Sequence, residues 1–177
     1  MPRRGPALLC PNHQSYLDAF LLAGSVPFGV LRQMFAVGAA EYYQTPFMRW
    51  FARMTNVIPV DADANLEQAM RAGAAGLRQG RILMIFPEGE RSIDGDLKIF
   101  KKGAAILSAH CDAPIVPIAM DGLFELWPRS RTLQWRRLLP WRAAPVRLTF
   151  GASIRTTPER YAEGTQALRD AVDALLT

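Results

Sequence analysis

Two apolar runs, ILMIF at residues 82–86 and PIVPIAM at residues 114–120, constrain the fold more than any other feature of the sequence. A strand that is apolar on both sides must be covered on both faces, which is typical of parallel sheets packed between helices. Further strands are predicted at PALLCPN, QMFAVG, NVIPVD and PVRLTFGASI, and helical patterns separate most of them. This alternation predicts an α/β domain with a mixed, largely buried sheet covered by helices.

Helix boundaries are indicated by local signals. Ser15 and Asp18 form an S-x-x-D pattern, which predicts a helix that begins at Ser15 with a capping box. Thr45 followed by a proline predicts the start of the helix in TPFMRWFARM. Gly80 is expected to end a helix that starts near residue 65, because glycine commonly follows the last helical turn.

Composition excludes several classes of protein. Half of the 177 residues are hydrophobic and 21% are charged, so a single globular domain over residues 1–177 is expected rather than a disordered chain. Cys10 and Cys111 have no metal-ligand spacing and suggest no disulfide framework, which indicates buried thiols in a reducing compartment. The longest apolar stretch, residues 19–31, is interrupted by glycine, serine and proline and is too short to span a bilayer. We therefore expect a cytoplasmic protein.

The segment CPNHQSYLDAF contains a histidine and an aspartate that could work as a general base and its orienting carboxylate. On one regular helix, His13 and Asp18 would point about 140° apart, so they can meet only if His13 lies in a loop before the helix. In that arrangement Asp18 fixes the imidazole tautomer and leaves the other ring nitrogen free. The alternative is a capping carboxylate and a loop histidine that never interact, and this stretch taken alone favours that alternative.

A second cluster of chemical groups follows the strand ILMIF. The segment Pro87-Glu88-Gly89-Glu90-Arg91 lies where a buried parallel strand is expected to end, which is the edge at which α/β folds bind ligands. The guanidinium of Arg91 suits a phosphate group, and Lys101 lies at the start of the next predicted helix. The alternative is an exposed turn with solvated charges, and an E-G-x-R match is weak by itself.

Taken together and in this order, NHQSYLD, FPEGER and the later APIVPIAMDG resemble the motifs of the glycerolipid acyltransferase family, which acylates glycerol-3-phosphate and lysophospholipids. The form FPEGERSIDG followed by FKKGAAIL is similar to acyltransferase modules fused to acyl-activating, AMP-forming domains. The resemblance covers roughly residues 7 to 155. The chain is either complete, a fragment or one module of a longer protein.

The resemblance implies the role of each site residue. His13 becomes the general base and Asp18 its orienter. The substrate-binding set comprises Gln14, Ser15, Pro87, Glu88, Gly89, Arg91 and Lys101. The family's second motif has a glycine and an arginine beside a short strand, whereas Asn56 and Ala62 stand here, and Glu90 replaces a small hydroxyl residue of the third motif. Phosphate binding is therefore expected to depend on Arg91 and the lysines, unless the acceptor differs.

Positive charge is concentrated near the end of the chain. The formal net charge is +5, yet seven arginines and no acidic residue lie between Trp127 and Pro158, interleaved with Trp135 and Trp141. We call Trp127–Arg155 the basic segment, and interpret it as a surface that seats the protein on anionic lipid headgroups. Alternatively, the segment binds the phosphates of coenzyme A or an acidic acyl carrier protein, or it is a solvated loop. Binding to nucleic acid is disfavoured, because the sequence contains no recognisable nucleic-acid-binding module.

The sequence thus predicts an O-acyltransferase that moves a fatty acyl group from acyl-CoA or acyl carrier protein to a glycerol-phosphate or lysophospholipid hydroxyl. It predicts no cofactor, no metal site and no nucleic-acid partner, and a peripheral location on the inner face of the cytoplasmic membrane. Two alternatives remain. One is a thioesterase or lipase-like hydrolase that uses the same histidine and aspartate on water. The other is an inert lipid-surface module.

Overall fold

The computed structural model describes residues 2–60, 66–138 and 145–176. A single six-stranded sheet organises this part of the chain, in the order β3-β2-β4-β1-β5-β6. The strands are β1 (Ala7–Pro11), β2 (Met34–Ala39), β3 (Val57–Val60), β4 (Ile82–Met84), β5 (Ile115–Asp121) and β6 (Arg147–Phe150). All neighbouring pairs are parallel except β5 and β6, which are antiparallel.

Helices connect the strands from β1 to β5, and one further helix follows β6. They are α1 (Asp18–Ser25), α2 (Phe28–Leu31), α3 (Pro46–Met54), α4 (Leu66–Arg78), α5 (Gly103–Cys111) and α6 (Tyr161–Leu176). Short 3₁₀ turns cover Ala40–Tyr43 and Trp135–Leu138. None of the described helices combines the length and the apolar character that a bilayer crossing needs.

Helices cover both faces of the sheet, as the apolar runs predict. Leu9 packs with Leu22 and Val30 of α1 and α2 on one face. Its neighbours Leu8 and Cys10 point the other way and pack with residues of α4, α5 and α6. Every residue of β1 is buried, which explains why its sequence shows no alternation of apolar and polar residues.

Three helix boundaries test the sequence expectations, and two of them are as predicted. The start of α3 is as predicted, because Thr45 Oγ1 accepts the N–H of Met48 at 3.2 Å. Gly80 follows α4 with a φ of +74°, the left-handed conformation expected of a helix-ending glycine. The predicted start at Ser15 is wrong. Residues 16 and 17 form a turn and α1 begins at Asp18, because Ser15 and Asp18 are engaged in the loop contacts described below.

The parallel strands place four chain segments at one edge of the sheet. The carboxyl ends of β1, β2, β4 and β5 lie side by side, with Leu9 opposite Met84 and Pro11 opposite Ile118. The segments that leave this edge begin at residues 12, 40, 85 and 122. Both candidate motifs therefore reach the same side of the molecule.

Close packing of α4 on the sheet generates the first prediction. A Cβ atom added to Gly76 would overlap the ring of Phe35, which is buried on β2. Gly76→Ala should therefore destabilise the fold by about 1–3 kcal/mol, because overpacking a rigid core forces its neighbours apart. Urea unfolding monitored by circular dichroism measures the change.

Gly24 in α1 is the matched control, because nothing lies within 4 Å of the Cβ that would be added there. Gly24→Ala should leave the unfolding midpoint unchanged or raise it, since alanine is favoured over glycine inside a helix. Equal stability of the two variants would contradict the tight contact between α4 and Phe35.

Candidate active site

His13 and Asp18 are in direct contact. His13 Nδ1 lies 2.7 Å from Asp18 Oδ2, and the Asp18 side chain is completely buried while that of His13 keeps 16% of its surface exposed. The same Oδ2 accepts the backbone N–H groups of Gln14 and Ser15 at 2.7 and 2.8 Å. Because the carboxylate can only accept, Nδ1 carries the ring proton in this network. Nε2 is then the unprotonated nitrogen, which is able to take a proton.

The segment after β4 fixes the His13 loop from a second direction. The His13 ring stacks on Phe86 with centroids 3.8 Å apart and planes at 19°. The backbone N–H of His13 donates to Glu88 Oε1 at 2.6 Å, and its carbonyl accepts the N–H of Ser92 at 2.8 Å. Ring and backbone of His13 are thus held by residues that the sequence separates by about seventy positions.

Glu88 acts as a brace between loops. Its side chain is 3% exposed, and its second oxygen, Oε2, accepts the backbone N–H of Lys98 at 3.1 Å. Burial raises the pKa of the Glu88 carboxyl, and the N–H groups of His13 and Lys98 act in the opposite direction. Both oxygens are occupied by backbone donors. The structure therefore gives Glu88 a role in holding the loop, and its contact with a substrate stays a prediction.

Gln14 and Ser15 are also built into the loop. Gln14 Nε2 donates to the carbonyl of Gly95 at 3.0 Å, while Gln14 Oε1 is buried without a partner among the described residues. Ser15 Oγ donates to the carbonyl of Trp127 at 3.0 Å and accepts the N–H of Leu17 at 3.2 Å. The hydroxyl thus bonds within the turn that precedes α1 and to a distant carbonyl, and Leu17 is the N-cap of α1. Ser15 is fully buried, so its hydroxyl is not exposed to a ligand.

Arg91 lies between two tyrosines that the sequence analysis did not identify. Its Cζ atom is 3.8 Å from the ring centroid of Tyr16 and 5.8 Å from that of Tyr42. Arg91 Nη2 donates to the Tyr42 hydroxyl at 3.3 Å, and Nε is buried without a partner among the described residues. Tyr16 in turn lies against Trp127, with ring centroids 5.0 Å apart. Only the position of Tyr16 inside the first motif could have signalled this role.

Gly89 and Lys101 occupy one small region, as the sequence suggested. Gly89 has a φ of +77°, and a Cβ atom there would lie 2.6 Å from Lys101 Nζ, so the lysine side chain crosses directly over the glycine. The backbone N–H of Lys101 donates to the carbonyl of Pro87 at 2.7 Å. Pro87 itself is buried and contributes its carbonyl rather than its ring to this contact.

The two departures from the family motifs have structural counterparts. The Glu90 carboxylate contacts Lys98 Nζ at 2.6 Å and Arg129 Nη1 at 2.8 Å, and the bond to Lys98 is the main cause that lowers its pKa. Its negative charge is therefore paired with two cations. Asn56 adopts a φ of +54°, the conformation that glycine takes most readily. Ala62 lies outside the described residues.

The basic segment is less uniform than its sequence suggests. Trp127 is half-buried against Tyr16, whereas Trp135 is 60% exposed with Arg136 over its ring at 5.5 Å. Three of its arginines form ion pairs with carboxylates that lie outside the acid-free stretch: Arg129 with Glu90, Arg137 with Glu125 and Arg155 with Asp112. Trp141 and Arg142 lie outside the described residues. Part of the positive charge is thus neutralised within the protein.

Other candidate groups are unsuited to nucleophilic or metal chemistry. Cys10 is fully buried, and burial raises the pKa of its thiol, so this side chain stays neutral and inaccessible. Over the ranges that the structure describes, no three His, Cys, Asp or Glu side chains are grouped to hold a metal ion. The remaining candidate site consists of the partly exposed His13 imidazole, which the buried Asp18 carboxylate orients, together with Arg91 and Lys101.

Comparison with known structures identifies the fold. The crystal structure of the 1-acyl-sn-glycerophosphate (LPA) acyltransferase PlsC from Thermotoga maritima matches with a TM-score of 0.73 at 24% identity. The match covers 98% of this chain and 68% of that chain. The predicted α/β architecture with a mixed sheet is therefore confirmed.

Curated relatives have one name in common, 1-acyl-sn-glycerol-3-phosphate acyltransferase. They include the chloroplastic protein BAT2 of Brassica napus (31% identity over 70% of this chain), and proteins from Pseudomonas aeruginosa (29% over 71%) and Saccharomyces cerevisiae (32% over 68%). The chain spans 35%, 48% and 40% of the length of these relatives, respectively. The family model described as Acyltransferase matches residues 1–121, which is more than half of the chain. This protein belongs to the glycerolipid acyltransferase family.

Proposed function

We propose that this chain catalyses the transfer of a fatty acyl group from a thioester to a hydroxyl of a glycerol-phosphate or lysophospholipid acceptor. The observation that carries the proposal is the contact between His13 and Asp18, which leaves His13 Nε2 free of partners among the described residues. The acceptor class is taken from the names of the curated relatives, which act on 1-acyl-sn-glycerol-3-phosphate. The donor is acyl-CoA or an acyl carrier protein, and no further cofactor is needed.

In the proposed reaction the acceptor hydroxyl takes the position that a serine occupies in a catalytic triad. His13 Nε2 removes the hydroxyl proton as the oxygen attacks the thioester carbonyl. The new oxygen–carbon bond forms, the carbon–sulfur bond breaks, and the departing thiolate receives the proton from His13. Asp18 stabilises the transient imidazolium and keeps Nδ1 protonated throughout. The cycle needs no acyl-enzyme intermediate.

Phosphate recognition is assigned to Arg91, Lys101 and the backbone at Gly89. Arg91 keeps its Nε without a partner among the described residues, and Lys101 crosses Gly89 at the same edge of the sheet. A guanidinium and an ammonium group together suit a dianionic phosphate. Binding the phosphate would orient the glycerol hydroxyl toward His13, so much of the rate acceleration would come from positioning.

The protein is proposed to act at an anionic membrane surface, on the inner face of the cytoplasmic membrane, because its proposed substrates are lipids. The basic segment offers the exposed Trp135 and Arg136 for this contact. A second surface has a similar character and competes with it. Phe47 and Trp50 of α3 are 67% and 56% exposed, and Arg49 lies between them in sequence. The two surfaces can be separated by mutation.

His13→Ala should lower kcat by about 10²–10⁴, because the positioned general base is removed. The assay follows thiol release from an acyl-CoA donor in the presence of lysophosphatidic acid, with unfolding midpoints as a check on the fold. His110→Ala is the matched control, since His110 contacts Tyr161 rather than the site.

Asp18→Asn adds a second arm to this experiment. The substitution removes the charge that orients His13, and should reduce kcat by a comparable factor.

Near-normal turnover in the His13 variant would contradict the assignment of His13 as the general base. Thiol release that does not depend on the acceptor would indicate a hydrolase instead, and vesicle binding without any turnover would indicate an inert module.

Arg91→Ala should raise the KM for a phosphate-bearing acceptor by at least about tenfold and leave the KM for acyl-CoA nearly unchanged. A charge-assisted contact of about 1.5–3 kcal/mol is lost on one substrate only. Steady-state kinetics with each substrate varied in turn provide the measurement. Arg155→Ala, which removes an exposed arginine paired with Asp112, serves as the control. A larger effect on the donor KM would assign Arg91 to the donor site.

Replacing Arg136, which is unpaired among the described residues, with glutamine should weaken binding to anionic vesicles by roughly fivefold, since a basic group near such a surface contributes about 1 kcal/mol. Sedimentation with phosphatidylglycerol vesicles at several salt concentrations measures it, with turnover of a soluble short-chain substrate as the control. Phe47→Ser with Trp50→Ser is the comparison variant. If only that variant loses vesicle binding, the membrane surface is on α3. If neither variant loses it, the membrane proposal fails.

A further inference from the structure

The ring of Tyr16 supports Arg91 from inside the His13 loop. Tyr16 lies three residues after His13 and two before Asp18, and its ring centroid is 3.8 Å from Arg91 Cζ. This distance is well within the range of about 6 Å at which a cation and an aromatic face attract one another. The loop that carries the candidate base therefore also carries the main contact of the candidate phosphate ligand.

Stacking leaves the hydrogen-bonding edge of the guanidinium available. A tyrosine ring contacts the flat face of the group, whereas phosphate oxygens bind to N–H donors in its plane. No carboxylate pairs with Arg91 among the described residues. Only Nη2 has a partner there, the Tyr42 hydroxyl at 3.3 Å, while Nε has none. The two tyrosines thus limit the motion of Arg91 without neutralising its charge.

Tyr16 is itself held rigidly. Its backbone N–H donates to the carbonyl of Trp127 at 3.3 Å, and its ring lies 5.0 Å from that of Trp127. The neighbouring Ser15 hydroxyl donates to the same carbonyl at 3.0 Å. On the other side, the N–H of Ser15 is bonded to the Asp18 carboxylate. The loop after β5 and the buried Asp18 together fix the support on which Arg91 lies.

We propose that Tyr16 is a positioning residue that holds Arg91 for the acceptor phosphate and couples it to the base loop. This inference rests on the proposed function. Because residues 13–18 hold both His13 and the ring beneath Arg91, one rigid segment sets the separation between the proton acceptor and the phosphate ligand. The preference for phosphate-bearing acceptors over their phosphate-free analogues then depends on Tyr16, although Tyr16 touches neither reacting atom.

A double-mutant cycle between Tyr16 and Arg91 tests the inference. Tyr16→Leu, Arg91→Ala and the double variant are compared with acyl-CoA as donor, using a lysophosphatidic acid and the matching monoacylglycerol as acceptors. Tyr16→Leu should raise the KM for lysophosphatidic acid by about 3- to 30-fold, the range that loss of a cation–π contact allows. It should leave the rate with monoacylglycerol nearly unchanged. In the Arg91→Ala background it should have no further effect on either acceptor, because its action passes through Arg91.

Two conservative variants keep the test decisive if Tyr16→Leu folds poorly. Tyr16→Phe retains the ring and should behave like the unmodified protein. Tyr42→Phe removes one hydrogen bond to Arg91 and should raise the KM for lysophosphatidic acid by roughly 2- to 10-fold. Unfolding midpoints of all variants identify any general loss of structure.

The outcomes separate this inference from the proposed function. If Tyr16→Leu lowers kcat equally for both acceptors and in both backgrounds, Tyr16 is only a structural part of the loop and the inference is overturned. If Arg91→Ala raises the acceptor KM but Tyr16→Leu and Tyr42→Phe do not, the inference fails while the phosphate role of Arg91 stands. If Arg91→Ala itself has no effect on the acceptor KM, both the inference and that role are overturned.

Discussion

One buried carboxylate oxygen organises the loop on which the proposed chemistry depends. Asp18 Oδ2 accepts hydrogen bonds from the His13 imidazole and from two consecutive backbone N–H groups, each with a donor–acceptor distance of 2.7 or 2.8 Å. A buried charge is costly unless hydrogen bonds replace its hydration, and the closed loop supplies three such bonds to Oδ2. Asp18 is also the first residue of α1, where the positive end of the helix dipole favours an anion. The same carboxylate oxygen therefore both closes the loop and orients the histidine.

The parallel sheet explains why residues distant in sequence complete this site. Because β1, β4 and β5 are adjacent and run in the same direction, the segments that follow them emerge together. Glu88 then binds the backbone of His13, and the carbonyl of Trp127 accepts both the Ser15 hydroxyl and the Tyr16 N–H. The His13 loop is braced from both neighbouring strands. A rigid base loop is consistent with a reaction in which positioning of the acceptor supplies much of the rate.

Much of the fold could be predicted from the sequence, because the strands are buried on both faces. Apolar runs such as ILMIF at β4 and PIVPIAM at β5 have few alternative structures in a chain of this composition. The helix ends were predicted where one residue decides them, as at Thr45 and Gly80. The start of α1 was not, because the Ser15 hydroxyl bonds to the carbonyl of Trp127, a residue more than a hundred positions away. No local pattern contains that information.

The candidate site was predictable to the same degree. The stretch alone favoured a histidine and an aspartate that never interact, and only the family resemblance implied their pairing, which the contact between His13 Nδ1 and Asp18 Oδ2 at 2.7 Å now shows. The direction of each side chain at the third motif could not be deduced, since Glu88 and Glu90 are two positions apart yet differ completely in environment. Glu88 is buried and accepts hydrogen bonds from two backbone N–H groups, whereas Glu90 forms ion pairs with Lys98 and Arg129. Tyr42 gave no signal, because it meets Arg91 only through the packing of the 3₁₀ turn before α3.

The pairing of Glu90 with Arg129 also changes how the basic segment should be interpreted. In the sequence, a carboxylate beside the proposed phosphate site and an acid-free run of arginines are two unrelated features. In the structure they meet at 2.8 Å, so an arginine of the basic segment offsets a charge that would otherwise repel an anionic acceptor near Arg91. Arg137 and Arg155 are paired in a similar way with Glu125 and Asp112. Some of the local excess of arginine therefore serves the electrostatic balance of the domain, and only unpaired members such as Arg136 remain for an external surface.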